Sequence, residues 1–547
     1  MLRLCLMLAI CISAVWPGMA QTSLVSGSLE GFVTDSSEAR IAGAKVTIRE
    51  SASKRTRTVS TNAEGFFHFS EMPPGTYEVV VSQPGFTPYR HTGVTVQLGS
   101  TAHLDVALQS GAVTTEITVT AQPPPLDPAQ TSVSSTVDRE RIEELPVESR
   151  NYLNFVLLAP GVARSAQQPG NKSLGPLPDS GFTFGGLRGR SNNITIDGLD
   201  NNDEYLGSSR TELSLETVQE FQVVNAGLSA ETGGASGGAI NVVTRTGANQ
   251  IHGDAFLFLQ NGALNARNPF ESERTAPTVH RYRGGVALGG PIVKDRTFYY
   301  VAGEQEHNRA RDDSFLSPRL TAAVNRILAS GAFPGLDTRR VSDDQFPVSR
   351  AETEASGKIN HQLSARNSLM LRYAFTNNRE AGDAFNTEGW TDPSARGSSF
   401  TRDHAWVGAL TTVFNPQSLG DLRVQVSERR AVLRTNDATG PGVVIAGLIN
   451  FGRPYEGNSR RTENHKQVNY AFSSSLGHHL WKAGITVNHV TEDAAATDGF
   501  GGLYLFANLA DFAAGQPNQF RQAFGAIPVN YAVTNYGAFV QDHWSLA

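Results

Sequence analysis

The stretch from Val218 to Gln260, VQEFQVVNAGLSAETGGASGGAINVVTRTGANQIHGDAFLFLQ, decides how this chain is read. It opens on apolar and β-branched residues at Val218, Phe221, Val223 and Val224, and breaks at Gly233-Gly234-Ala235-Ser236-Gly237-Gly238. It resumes as Ala239-Ile240-Asn241-Val242-Val243-Thr244. Two strands around a glycine-rich connection are predicted, and a third strand follows from Ile251. The glycines resemble a phosphate loop only superficially, because such a loop needs a helix after it and usually a Lys. A β-branched strand follows instead. The glycines are therefore read as a tight turn and a close backbone approach to the wall of the sheet that lies downstream.

Downstream of Thr246 the chain becomes loosely alternating runs near residues 253–260, 281–292, 296–305, 353–363, 367–377, 401–414, 419–432, 464–476, 479–491 and 533–545. Leu369, Leu371, Tyr373 and Phe375 share one face, with Ser368, Arg372 and Thr376 on the other and Met370 as the exception. Leu422, Val424 and Val426 alternate with Asp421, Arg423, Gln425 and Ser427 in the same way. Strands of about ten residues, apolar outward and polar inward with polar loops between them, are the pattern of an outer-membrane barrel. After the N-terminus no stretch reaches the ~18–20 continuous apolar residues of a membrane helix. A membrane crossing here must therefore be made by a closed sheet, the other way to satisfy backbone groups in lipid.

Composition narrows the partners. A net charge of -6 with 18% charged residues gives no basic excess for nucleic acid. Arg3, the apolar run Leu4 to Trp16 and the small residues before Gln21 read as a signal peptide over residues 1–20. Both cysteines, Cys5 and Cys11, fall inside it, and Ile10 stands where a lipoprotein signal wants a small residue. A mature chain would then have no thiol for a disulfide, a nucleophile or a metal.

Residues 21–111 read as a β-sandwich, with strands every 8–12 residues. Ala44, Val46 and Ile48, and again Tyr77, Val79 and Val81, supply one buried face per strand, while Asn62-Ala63-Glu64-Gly65 and Pro73-Pro74-Gly75 supply turns. The phrase TNAEGFFHFSEMPPGTYEVVVSQPGF resembles the carboxypeptidase regulatory-like domain, a transthyretin-like sandwich. His68 and Glu71 have a spacing seen among zinc ligands. In a strand running into a turn, however, residues three apart point to opposite faces, and no His-Glu-x-x-His helix is present.

Residues 112–132 read as a linker stiffened by Pro123-Pro124-Pro125 and Pro128. Just before the prolines, Glu116-Ile117-Thr118-Val119-Thr120-Ala121 resembles a TonB box, the segment that a TonB-dependent receptor offers to a TonB-like periplasmic energising protein. The physical mode is strand addition, with affinity from main-chain hydrogen bonds. The same residues can also be read as the last strand of the sandwich. Residues 133–250 resemble the plug domain of TonB-dependent receptors, through FTFGGLRGRSNNITIDGLDNNDE and LSLETVQEFQVVNAGLSAETGGASGGAINVVTRTG. In that block Asp138 to Leu145 has helix-forming charge stopped by Pro146, and an apolar stretch ends at Pro160-Gly161.

The plug also holds Asp197, Asp200, Asp203 and Glu204 with Asn201 and Asn202, oxygen donors of the kind calcium selects. Their spacing departs from the twelve-residue calcium loop, with no bidentate Glu at its end. A solvated loop, pairing with Arg188 and Arg190, and a ligand-facing loop formed by Arg188, Arg190, Asp197, Asp200, Asp203 and Glu204 are the other readings.

Taken together, the chain is expected to be mainly β: a transthyretin-like sandwich, an α/β plug, and over residues 251–547 about half of an antiparallel transmembrane barrel. Plugged outer-membrane transporters have about 22 strands. The ten or so runs found here would close to a diameter of only about 22 Å, against roughly 35 Å for a plug of ~115 residues. The last residues, NYGAFVQDHWSLA, resemble a mid-barrel strand of Oar-like receptors and lack a terminal aromatic. An open sheet with two unpaired edges, as in a fragment or a truncated product, is therefore expected. The resemblance implies an outer-membrane receptor that imports a solute by plug movement, with its N-terminal domain in the periplasm, lipid around its barrel, and no catalytic residue, metal or cofactor. A TonB-independent surface adhesin or secretion-linked barrel, or a non-functional truncated fragment, is the alternative.

Overall fold

The structure, a computed structural model, describes residues 24–111, 117–120, 132–147, 150–165, 180–264, 279–312, 314, 316–331, 333, 336, 339–382, 385, 390–476, 479–525 and 527–544. The signal peptide over residues 1–20, the prolines of the linker, and Glu116 and Ala121 lie outside these.

The ten alternating runs are ten antiparallel strands: β1 (His252–Asn261), β2 (His280–Val293), β3 (Thr297–Asp312), β4 (Phe346–Gln362), β5 (Asn367–Ala381), β6 (Gly397–Asn415), β7 (Ser418–Thr435), β8 (Ser459–Leu476), β9 (His479–Ala496) and β10 (Ile527–Trp544). They pair in sequence order, and among the described residues β1 and β10 each pair with one neighbour and not with each other, the open sheet expected from strand number. The alternation sorts side chains as read. Leu371, Trp406, Val426, Ile485 and Val540 stand exposed on the outer face, while Arg372, Gln425, Ser427 and Arg429 are buried inside. Met370, the exception in the pattern, faces inward and packs on Leu199 of the plug. Among the described residues no helix is long and apolar enough to cross a membrane.

At one end the strands join through short turns; at the other the connections are long. The long connections were read as polar loops, and there the structure differs. Gly442–Ile445, Ile449–Gly452, Leu503–Phe506 and Gln519–Arg521 form a four-stranded sheet. Helices Pro318–Ala329, capped by Ser317, and Leu509–Ala513 accompany it. Val324, Leu328, Val443, Ile445, Phe451, Phe506 and Phe512 bury against one another. The strands of this sheet are three or four residues long, too short for periodicity to mark.

The sandwich has two sheets. One orders Phe66–Met72, Gly27–Asp35 and Thr101–His103, with Val106–Leu108 also on Gly27–Asp35; the other orders Thr56–Ser60, Lys45–Glu50, Gly75–Ser82, Tyr89–Val96 and Ile117–Thr120. Ala44, Val46, Ile48, Tyr77, Val79 and Val81 lie in its core. Ile117–Thr120 pairs in parallel with Tyr89 to Thr92, so this segment is an edge strand of the sandwich.

In the plug, Val218–Ala226 pairs antiparallel with Ala239–Thr244 and with Val133–Val137, and Asn193–Ile196 runs parallel to Ala239–Thr244. The predicted helix is Arg139–Glu144, capped by Asp138. Tyr152–Leu158, a 3-10 helix, buries Tyr152, Phe155 and Val156 against Phe221, Ile240 and Val242. The glycine-rich connection corrects one expectation. A Cβ on Gly238 would lie 2.2 Å from the Phe184 ring, and one on Gly237 would lie 2.5 Å from Asn192 Oδ1. The close approach is thus to the plug's own side chains rather than to the barrel wall.

Candidate functional site

The plug touches the wall mainly through charge. From Ile196 the chain climbs the inner face of the sheet, and each acidic residue of the predicted cluster meets a different set of wall residues. Asp197, in the left-handed conformation at φ 49°, sits nearest the short-turn end. It accepts from Thr244 N at 3.0 Å and lies 2.8 Å from Arg372 Nε on β5 and 3.6 Å from Lys358 Nζ on β4. Burial alone would raise its pKa, but Lys358, Arg372 and the Thr244 hydrogen bonds hold the carboxyl well below the usual carboxylate range. Asp200 faces β8 and β9 through Gln467 and Asn488.

Asp203 is the centre of a buried lattice. Arg429 on β7 donates to it at 3.0 Å, and Arg461 on β8, 1% exposed, donates through both terminal nitrogens. Its backbone turn supplies further donors, Tyr205 N at 3.1 Å and Leu206 N at 2.8 Å. Against the cost of burial, these contacts hold Asp203 below its ordinary range. Arg429 also donates to Asp403 at 3.0 Å, and Arg210 of the plug lies 3.5 Å from Glu463 and 3.8 Å from Asp403. Charges removed from water are tolerated when each is answered by an opposite charge and hydrogen bonds, which is the case here.

A third contact gathers Arg139 and Arg150 on Glu216, each at 2.6 Å. Arg150 lies 3.5 Å from Glu304 on β3, and its guanidinium sits over the Phe256 ring of β1 at 3.9 Å. Tyr300 on β3 donates to Glu216 O at 2.8 Å.

At the short-turn end the sandwich closes against plug and wall. Lys482 on β9 lies 2.8 Å from Glu71 of the sandwich and 2.6 Å from Glu231 of the plug, so one ammonium joins all three modules. Burial would raise Glu71, but Lys482 and the hydrogen bond from Ser26 bring it down to about 2. Leu98 N donates to Glu220 of the plug, whose carboxyl burial pushes up to about 7. Between Asp197, Lys358, Arg423, Glu50 and Arg55 remains a cavity of about 560 Å³.

Of the residues singled out in the sequence, Asp197 and Asp203 are buried against the wall. Asp200 and Glu204 are partly covered, and Arg188 is exposed. Among the described residues Arg190 hydrogen-bonds to the Glu204 carbonyl, at 3.4 Å; the charged partners of Asp197 and Asp203 are wall residues. The six do not converge on one point. His68 and Glu71 also diverge: His68 Nδ1 meets Glu30 at 3.2 Å, while Glu71 turns to Lys482. Sequence reasoning missed Lys358, Arg429, Arg461 and Lys482 as partners. The signal was available, since the inward register of Arg423, Gln425 and Ser427 continues to Arg429.

Comparison with known proteins adds family to geometry. The carboxypeptidase regulatory-like domain matches residues 28–109, and the outer membrane beta barrel domain matches 243–345 and 316–547. The TonB-dependent transporter Oar of Myxococcus xanthus is 29% identical over 259 residues, which are 45% of this chain and 23% of that protein. The outer membrane transporter YddB from Escherichia coli superposes with a TM-score of 0.52 at 13% identity, covering 75% of this chain and 54% of that one. That likeness is one of fold. The chain therefore spans 23% of its curated relative and about half of its structural one. It belongs to the outer membrane β-barrel family, with an N-terminal carboxypeptidase regulatory-like domain and a likeness to Oar-type TonB-dependent receptors.

Proposed function

We propose that the chain works as a TonB-dependent outer-membrane receptor, importing a large or scarce solute when a TonB-like periplasmic protein engages residues 116–121 and moves the plug. One observation carries the reading: the plug keeps its own apolar core. Of the wall, among the described residues, only Ala374 enters that cluster, and a separate small contact joins Leu199 to Met370, Val407 and Ala409. Most of what holds the plug in place is ion pairs and hydrogen bonds, which water can replace as the plug shifts without opening its core. Residues 245–251 tether its last strand to β1. Short turns face the periplasm in barrels of this kind and long loops face outward. The sandwich, which meets Ser368 and Lys482 at the short-turn end, is then periplasmic, and solute arrives over the packed long loops.

Ile117–Thr120 already lends its backbone to the sandwich, so a partner using strand addition competes with Tyr89–Val96 for it. That docked strand is also the observation favouring the alternative, a TonB-independent adhesin or secretion-linked barrel. Binding of a purified TonB C-terminal domain to the full chain in detergent separates the two. Deleting residues 116–121 is expected to abolish binding; equal binding with and without them sinks the receptor reading.

A further inference from the structure

On β3 and β4 the register sets Glu304 opposite Glu354 and Glu306 opposite Glu352, so four carboxylates occupy adjacent inward positions. All four are buried. The first strand's pair is answered. Glu304 takes Arg283 and the Ser214 hydroxyl at 2.6 Å, with Arg150 Nε 3.5 Å away, and Glu306 takes Arg281 at 3.0 Å and Arg283 at 2.8 Å. The second strand's pair is not answered in kind. Glu352 has Arg350 at 3.5 Å, a side chain half exposed to solvent. Glu354, 5% exposed, keeps an oxygen, Oε2, with no hydrogen-bond partner among the described residues.

Into this position the plug places a further acid. Glu212 is pinned by its backbone, which donates to Thr376 Oγ1 at 3.1 Å and accepts from it at 2.9 Å. One carboxylate oxygen from each of Glu212, Glu352 and Glu354 lies within 4.8 Å of the other two. Among the described residues the Tyr152 hydroxyl of the plug, on a side chain 1% exposed, has no hydrogen-bond partner either. The cluster is thus acidic, contains an unpartnered buried carboxylate oxygen, and joins two modules.

We propose that Glu212, Glu352 and Glu354 hold a hard divalent cation of the calcium class, which clasps the plug to β4. Unanswered carboxylates in so buried a place are strongly unfavourable unless neutralised. The donor set is oxygen alone, with no imidazole or thiolate, which selects calcium or magnesium over zinc or copper. Coordination flexibility favours calcium, which takes about six to eight oxygens at about 2.3–2.6 Å in loose geometry, whereas magnesium at about 2.1 Å demands a near-ideal octahedron and keeps several waters. Such an ion makes the plug–wall contact sensitive to free calcium, independently of which partner or solute the receptor uses.

The test is cation binding by the full chain in detergent, with terbium luminescence as the calcium surrogate and displacement by calcium chloride as the readout. A single site is expected, and E212Q, which alters only the plug, should weaken calcium by about tenfold or more because the site loses one charged ligand. E352Q/E354Q, made separately, should abolish it. Thermal unfolding gives a second measurement: calcium should raise the midpoint of the unsubstituted chain and leave that of E352Q/E354Q unchanged. Equal calcium affinity in the unsubstituted chain and E212Q overturns the proposal. So does an absence of binding at millimolar calcium, since the carboxylates are then neutralised by protons.

Discussion

Asp203 and Glu212 sit on the same climbing segment of the plug and meet opposite kinds of wall. Asp203 enters between Arg429 and Arg461, while Glu212 enters beside Glu352 and Glu354. The first contact is complementary within the chain, and its hydrogen bonds set position and register together. The second is complete only with something added, a cation or protons. On the readings proposed above, the first clasp yields to force and the second to the composition of the medium.

Substitutions of one atom per residue test that contrast. D203N should be the most damaging, because it leaves Arg429 and Arg461 buried without their shared counter-charge; the expected loss is about 3–5 kcal/mol. The fall in the denaturation midpoint of the full chain in detergent measures it. E354Q should go the other way in the presence of a chelator. Replacing an acid that must take up a proton or a cation to stay buried is expected to stabilise the chain by about 1–3 kcal/mol. If both substitutions destabilise in chelator, the two contacts are alike and the comparison fails.

The sequence made the Asp203 contact half legible. Inward and outward positions of the barrel strands followed from period-two alternation, which places Arg372 and, by extension, Arg429 on the plug side. Asp197 and Asp203 stood out as a cluster, yet clustering in sequence implied a shared site that the backbone does not make, because the segment climbs the wall and each acid meets a different strand. Glu212, Glu352 and Glu354 were illegible for the converse reason: they lie far apart in sequence, and strand register with plug docking brings them together. The packed long loops escaped too, since their apolar residues arrive in short pieces from three connections.

A smaller effect separates the two contacts of the sandwich by pH. Glu220 is raised to about 7 by burial, with the Asp138 charge adding to it, above an ordinary value of 4.5. A raised acid contributes stability that is fully present below 4.5 and is lost as pH rises through about 7. Glu71 is lowered to about 2, so its contribution is present above 4.5 and is lost as pH falls toward 2. The windows do not overlap. E220Q should therefore flatten the pH dependence between 4.5 and 7, an effect of up to about 3 kcal/mol, and leave the acid side unchanged. Proteolytic release of the sandwich, followed against pH, reads both.

The smallest expected effect lies on Arg139, which holds two carboxylates at once. Glu216 is largely covered and also takes Arg150, whereas the Glu143 side chain is 56% exposed and stands four residues along the same short helix. Water competes for Glu143 at every moment, salt screens it, and its side chain gives up freedom to stay in place. E143Q should thus change stability by no more than about 0.5 kcal/mol, and the change should vanish at high salt. The distances do not distinguish the two, at 2.5 Å to Glu143 and 2.6 Å to Glu216. Burial does, and an E143Q loss as large as that of D203N would show that distance, not removal from water, governs how tightly this plug is held.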